Sequence, residues 1–252
     1  MTTTSITRAP IPVGTLATSA ISYSVERYYR YESTGRTSAP AGYGRESSVC
    51  RRIDPATPRR AEWYHEASGA PPSHMGWVAL TTSAPPAAKT TNPTDDAANL
   101  LRLEREHLAW HDGRGVALRV GTTPPLRPQV FALLPQWNGA PGWGDKVDWS
   151  KGKLDLVTKS ITADEVRIQV RASTEHPSFG RTAHHELSGE LTLMVPSGWP
   201  KRFVSDGSWV LPIPTIAGDS TILGTFQRTV AWTYTPNAPA PVPATPEPAP
   251  TP

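Results

Sequence analysis

Alternation of apolar and polar residues is the strongest signal in the chain, and it is concentrated between residues 116 and 234. In DEVRIQVRA (164–172), Val166, Ile168 and Val170 fall on one side, with Arg167, Gln169 and Arg171 on the other. Successive side chains of a strand point to opposite faces, so this two-residue period predicts a strand with one buried face. Shorter stretches of the same kind predict strands at 116–120, 129–134, 153–158, 186–195, 208–213, 220–223 and 225–234. Gly, Pro and Asp turns separate them. The expected fold is therefore mainly β: an antiparallel β-sandwich or barrel of about eight strands.

The rest of the chain is patterned differently. ISYSVERYYRY (21–31) alternates and predicts one strand with an aromatic face, and GWVALT (76–81) predicts a short one. Residues 32–75 are rich in Gly, Ser, Pro and Arg with little apolar content, which predicts loop. At 94–112 the period changes. Leu100, Leu103, His107 and Trp110 follow the three/four spacing of one helical face, with Asp95 and Asp96 at the start and Gly113 as a stop. The expected organisation is an extended basic N-terminal arm with loops over 1–93, a flanking helix plus β-sandwich domain over 94–235, and a Pro-rich tail over 236–252.

Composition sharpens this picture. The chain has 252 residues, of which 28 are Pro and 19 Gly. Proline fixes φ and removes a backbone donor, so it interrupts helices and central strands. No stretch approaches the ~20 apolar residues of a membrane-spanning helix, and no membrane partner is expected. The first fourteen residues, MTTTSITRAPIPVG, lack the apolar core of a secretory leader, which predicts synthesis in a cytoplasm. Cys50 is the one cysteine, so no intrachain disulfide is expected, and it reads as an inert thiol.

The net charge of +3 is small, but its distribution is uneven. Residues 1–60 hold nine arginines against four acidic residues, a surplus of five, and the first lysine is Lys89. Arginine binds phosphate bidentately and stacks on bases. With tyrosines interleaved, Arg27, Arg30, Arg51, Arg52, Arg59 and Arg60 are the candidate nucleic-acid contacts. In WNGAPGWGDKVDW, Trp137, Trp143 and Trp149 recur every six residues. They are candidate anchors at a subunit interface or a platform for a ligand.

No catalytic or cofactor motif emerges. His107 and His111 sit one helical turn apart with Glu104 a turn earlier, but a zinc site needs converging ligands, and no metal is expected. His184, His185 and Glu186 open a strand and point to alternating faces. Gly218-Asp219-Ser220 is similar to the nucleophile block of GDSL-type hydrolases, but the last histidine, His185, precedes the serine, against that family's order. The chain is expected not to be an enzyme and to hold no cofactor.

An Arg-rich, poorly patterned N-terminal segment followed by about eight strands over 116–234 resembles the layout of single jelly-roll coat proteins of small viruses. Phage tail-tube and head-decoration proteins share that layout. The resemblance implies a virion structural protein, made in the host cytoplasm, that self-assembles through its β-domain and arms. Its partners would be copies of itself, other virion proteins and packaged nucleic acid. The alternative expectation is a non-catalytic carbohydrate- or surface-binding module using the Trp137–Trp149 loop.

Overall fold

The computed structural model describes residues 2–57, 59–67, 72–80, 104–135, 147, 149–178, 180–215 and 218–241. The protein is mainly β: 62% of the described residues are strand and 9% helical, in two antiparallel sheets. The strands are β1 (Thr3–Ile6), β2 (Leu16–Tyr31), β3 (Ala41–Ile53), β4 (Arg60–Ala67), β5 (Ser73–Ala79) and β6 (Val116–Arg119). They continue with β7 (Lys153–Ile161), β8 (Glu165–Ser178), β9 (Arg181–Met194), β10 (Pro200–Thr215) and β11 (Gly218–Thr235). Two helices, α1 (residues 104–110) and α2 (Arg127–Leu133), precede a single 3-10 turn at Trp149–Lys151. β1 pairs with β6, and the larger sheet runs β5-β4-β3-β2-β11-β10-β9-β8-β7.

Three expectations change. Of the eight strands expected over 116–234, the described residues form six, β6–β11, because the stretches 220–223 and 225–234 are one strand, β11, and 129–134 is helical. The loop expected over 32–75 contains β3, β4 and the start of β5. β3 hid because its first six residues are exposed or half-buried on both faces, which removes the apolar alternation. The expected strand at 129–134 is the helix α2. Pro128 sits in its first turn, where the missing N–H is no loss, and Val130, Leu133 and Leu134 are buried at helical spacing. Of the expected helix at 94–112, residues 94–103 lie outside the described residues, as does the Pro-rich tail from 242 on.

The chain folds as two compact units that interleave in sequence. Unit 1 comprises residues 1–9, 21–45 and 109–231. Its core follows the alternation of β7–β11. Thr158, Ile168, Leu191, Phe203 and Val230 are successive register partners, and all five are buried. Trp110 is also buried, and its indole N–H donates to the Gln129 carbonyl at 3.0 Å. Arg8 is buried and binds the Ala109 carbonyl at the end of α1, with Asp112 at 3.1 Å. A guanidinium placed there satisfies a terminal helix carbonyl. Gly113, at φ 74°, ends the helical turn as its sequence position predicts.

A second apolar cluster in unit 1 joins Val25, Ala183, Trp209, Leu211, Ile213 and Ile222. Gly224 is required here. A Cβ at that position would overlap the Trp209 indole, which lies directly over the glycine.

Unit 2 comprises residues 10–20, 46–108 and 232–252. Ala17, Val49, Ile53, Ala61, Trp63 and Val78 form its buried face. Cys50 is buried among them and accepts a hydrogen bond from the Thr18 hydroxyl at 3.4 Å.

Candidate functional site

The outward face of unit 1 is built by the residues that alternate with its core. Lys153, Ser173, Glu186, Ser208 and Thr225 form one cross-strand row in register. Two residues along each strand, Asp155, Arg171, Ser188, Asp206 and Gln227 form the next. Both rows lie on one face because strand side chains repeat every two residues. With Ser24 and Glu26 of β2 and Gly42, Tyr43 and Gly44 of β3 they line an open trough of about 1190 Å³. It runs across seven strands of unit 1, about 29 Å at the usual strand spacing of ~4.8 Å. Serines, Thr225 and the two β3 glycines keep the floor low between the charged side chains.

The charges in the trough are left open. Several charges elsewhere in unit 1 are paired: Arg8 with Asp112, Lys201 with Glu165, Arg181 with Asp219, and His184 with Glu175. In the trough, Glu26, Asp155, Glu186, Asp206, Lys153 and Arg171 make no ion pair or side-chain hydrogen bond among the described residues. Tyr43 supplies an aromatic edge and meets Tyr23 in a T-shaped contact at 6.2 Å. Burial, with the Tyr23 phenol beside it, pushes the Tyr43 hydroxyl up to about 12 against the opposing pull of Arg27. At neutral pH that hydroxyl keeps its proton and remains a donor.

Beneath this face, His176 and His185 stack at 5.1 Å and 14°. Trp149 meets His185 edge-on at 6.3 Å. Three ring nitrogens of the pair, both of His176 and Nε2 of His185, are buried without a hydrogen-bond partner. Burial, then the neighbouring His176 and His184, holds the His185 pKa down to about 4.

The residues singled out in the sequence are placed as follows. Trp149 is buried in unit 1 and its indole donates to the Pro135 carbonyl at 2.6 Å, so it offers no open ring face. Trp137 and Trp143 lie outside the described residues. Arg27 and Arg30 are on β2 in unit 1, half-buried and exposed. In unit 2, Arg51 is buried with its guanidinium 5.5 Å from the Trp63 ring, which removes it from an outer phosphate contact. Burial lowers its pKa, opposed by Tyr234 and Glu106. Arg52 donates to the Ala238 carbonyl at 3.3 Å. Arg60 binds Asp54 at 2.6 Å and lies 4.2 Å from the Trp77 ring, while Arg59 is exposed.

His107 and Glu104 are buried in unit 2, and burial raises the Glu104 pKa. His111, in unit 1, has its Nδ1 3.2 Å from the Ala9 carbonyl. No group of three or more potential metal ligands converges among the described residues. His184 is exposed and His185 buried, on opposite faces as the strand pattern predicts. Ser220 is buried and Asp219 pairs with Arg181, so the Gly218-Asp219-Ser220 turn presents no open nucleophile. No helix among the described residues is long and apolar enough to cross a membrane.

The trough itself was missed in the sequence. Its signal was present as the polar half of each alternating strand, but a single strand does not reveal which polar rows line up across neighbours.

No protein-family model and no curated protein matches the chain. Among solved structures, one described as lipid–protein interactions in lipovitellin is similar at TM-score 0.36 and 10% identity. That match covers 93% of this chain and 26% of the other, and a likeness so slight bears on neither fold nor function.

Proposed function

We propose that the chain is a non-catalytic carbohydrate-binding module whose ligand lies in the trough of unit 1 and not on the tryptophan loop. One observation carries this reading: six charged side chains stand unpaired among hydroxyl and amide groups across seven strands. A polyhydroxylated chain can use carboxylates as acceptors and serine, glutamine and tyrosine groups as both donors and acceptors. From β8 to β2 the trough backbone is sheet interior, and its one outer strand, β7, is blunted, so an extended peptide finds little free strand edge there. Its four carboxylates are exposed. A carboxyl that serves as general acid is usually held protonated by burial, which favours binding over hydrolysis.

Glycan-array binding should survive Trp143→Ala and fall at least tenfold in Ser188→Trp, which fills the floor from an outward-facing position. Retained binding in Ser188→Trp, with Trp143→Ala abolishing it, would return the site to the tryptophan loop.

A second reading, a virion structural protein assembling from copies of this chain and other virion proteins, is supported by β5. This strand is the last of its sheet and exposes Trp77, 37% accessible. An exposed outer strand with a large apolar side chain invites pairing with another chain. The opposite outer strand, β7, is blunted by Lys153, Lys159 and a register shift between Thr158 and Ser160. On this reading light scattering and negative-stain microscopy detect large symmetric particles or tubes that Trp77→Lys disperses. A monodisperse monomer at high concentration, unmoved by partners, counts against it.

A further inference from the structure

We infer that the trough selects saccharides with neutral or amine-bearing units and turns away those bearing uronate, sulfate or phosphate groups. This rests on the glycan reading above and concerns the charge of the ligand. The trough carries four carboxylates against two cations, and they are not mixed evenly. Lys153 and Arg171 stand at the β7–β8 end, with Asp155 directly opposite Arg171 in register. From β9 to β2 the lining holds Glu186, Asp206 and Glu26 and no basic side chain.

Glu186 and Asp206 are diagonal neighbours, because Glu186 pairs with Ser208 and Ser188 with Asp206. Such positions lie roughly 7–8 Å apart, so a sugar unit over Ser188 and Ser208 is within reach of both carboxylates. An anionic group placed there meets two like charges with no compensating cation. An ammonium placed there meets two acceptors. Neutral hydroxyls bond to the same carboxylates and to the serines without a charge penalty. Because these groups are exposed, the discrimination is moderate and is screened by salt.

The interior position of the trough also sets the occupant. Every backbone strand beneath it except the outer strand β7 is paired on both sides, so side-chain chemistry decides recognition over most of its length. That chemistry combines hydroxyl, amide and charged groups with apolar surface from Val25, Pro40, Leu187 and Phe226, which suits the hydroxyl edges and C–H faces of sugar rings.

The test titrates the full chain with three oligomers of similar length: a glucosamine oligomer, its N-acetylated form and an oligogalacturonate. Backbone amide shifts are followed by NMR at low and high salt. The expected result is binding of the first two with shifts in β8–β11, and at least tenfold weaker binding of the galacturonate at low salt. That gap should narrow at high salt. Glu186→Gln with Asp206→Asn, both outward-facing, should weaken the glucosamine oligomer and strengthen the galacturonate. Galacturonate bound within threefold of the glucosamine oligomer, with shifts in the trough, overturns the charge selection and leaves the glycan reading intact. No shift in the trough with any of the three overturns both. An arginine-rich peptide shifting the same amides where no saccharide does would overturn both and assign the trough to a protein partner.

Discussion

Lowering the pH from 7 to 4 should destabilise unit 1 by about 3 kcal/mol through His185 alone. The imidazole is 4% exposed, stacked on His176, edged by Trp149 and opposite Trp209 and Thr174 in register. Among the described residues, the titratable groups acting on it are His176 and His184, both of which disfavour its cation, and burial disfavours it most. Glu175 does not offset this, because it pairs with His184 at 3.1 Å on the opposite side of the sheet. The folded pKa of about 4 lies below the ordinary value of 6.5, so the unfolded chain binds the extra proton first. Stability is therefore complete above about pH 6.5 and is lost progressively as the pH falls towards 4.

Asp54 and Glu165 lose their stabilising interactions at lower pH. The Ala56 backbone N–H and Arg60 hold Asp54 below its ordinary value of 3.8, and the Lys201 hydrogen bond holds Glu165 below 4.5. The window between pH 6.5 and 5 is thus the diagnostic one. Thermal unfolding should shift down by roughly 6 to 12 °C between pH 7 and pH 4. His185→Leu should flatten most of the slope in that window. An unchanged slope in the variant would assign the acid sensitivity elsewhere.

Trp209→Ala should lower stability by about 3–5 kcal/mol, the usual range for emptying a buried aromatic site. The indole is 3% exposed, stacks on Phe226 at 6.3 Å and closes the cluster with Leu211, Ile213 and Ile222. Gly224→Ala places a methyl group where the indole lies, and such overpacking costs about 1–3 kcal/mol. The two losses share one cause, so the double variant should fall short of their sum. Urea unfolding midpoints of the two single variants and the double variant test this. Strict additivity would mean that the glycine and the indole do not depend on each other.

The predicted strands that survived are those where a buried row and an exposed row alternate without interruption, as in Val166, Ile168 and Val170 on β8. β3 failed that test because Ala41, Gly42, Arg45 and Glu46 are all exposed, which gives it the composition of a loop. α2 failed it for the opposite reason. A short run such as Gln129–Leu134 is apolar at both periods, and only its neighbours decide which one applies. The flat Arg signal of residues 1–60 also divided on folding, with Arg8 and Arg51 buried and Arg59 exposed. Local sequence does not encode that division, because it depends on Asp112 and Trp63, far along the chain. The trough was legible only as polarity. Its charges come from five distant strands, and register alone sets Glu186 beside Asp206.

The sequence places Trp149 among the candidate interface anchors, and its burial gives it a different consequence. By bonding the Pro135 carbonyl it clasps the two ends of the segment that carries the other two tryptophans of the series. A segment whose ends are held by the folded unit has paid its closure entropy at the clasp. Lengthening it then costs only in proportion to the logarithm of its length. The bond between Trp149 and Pro135 therefore fixes where that segment leaves unit 1 and where it returns.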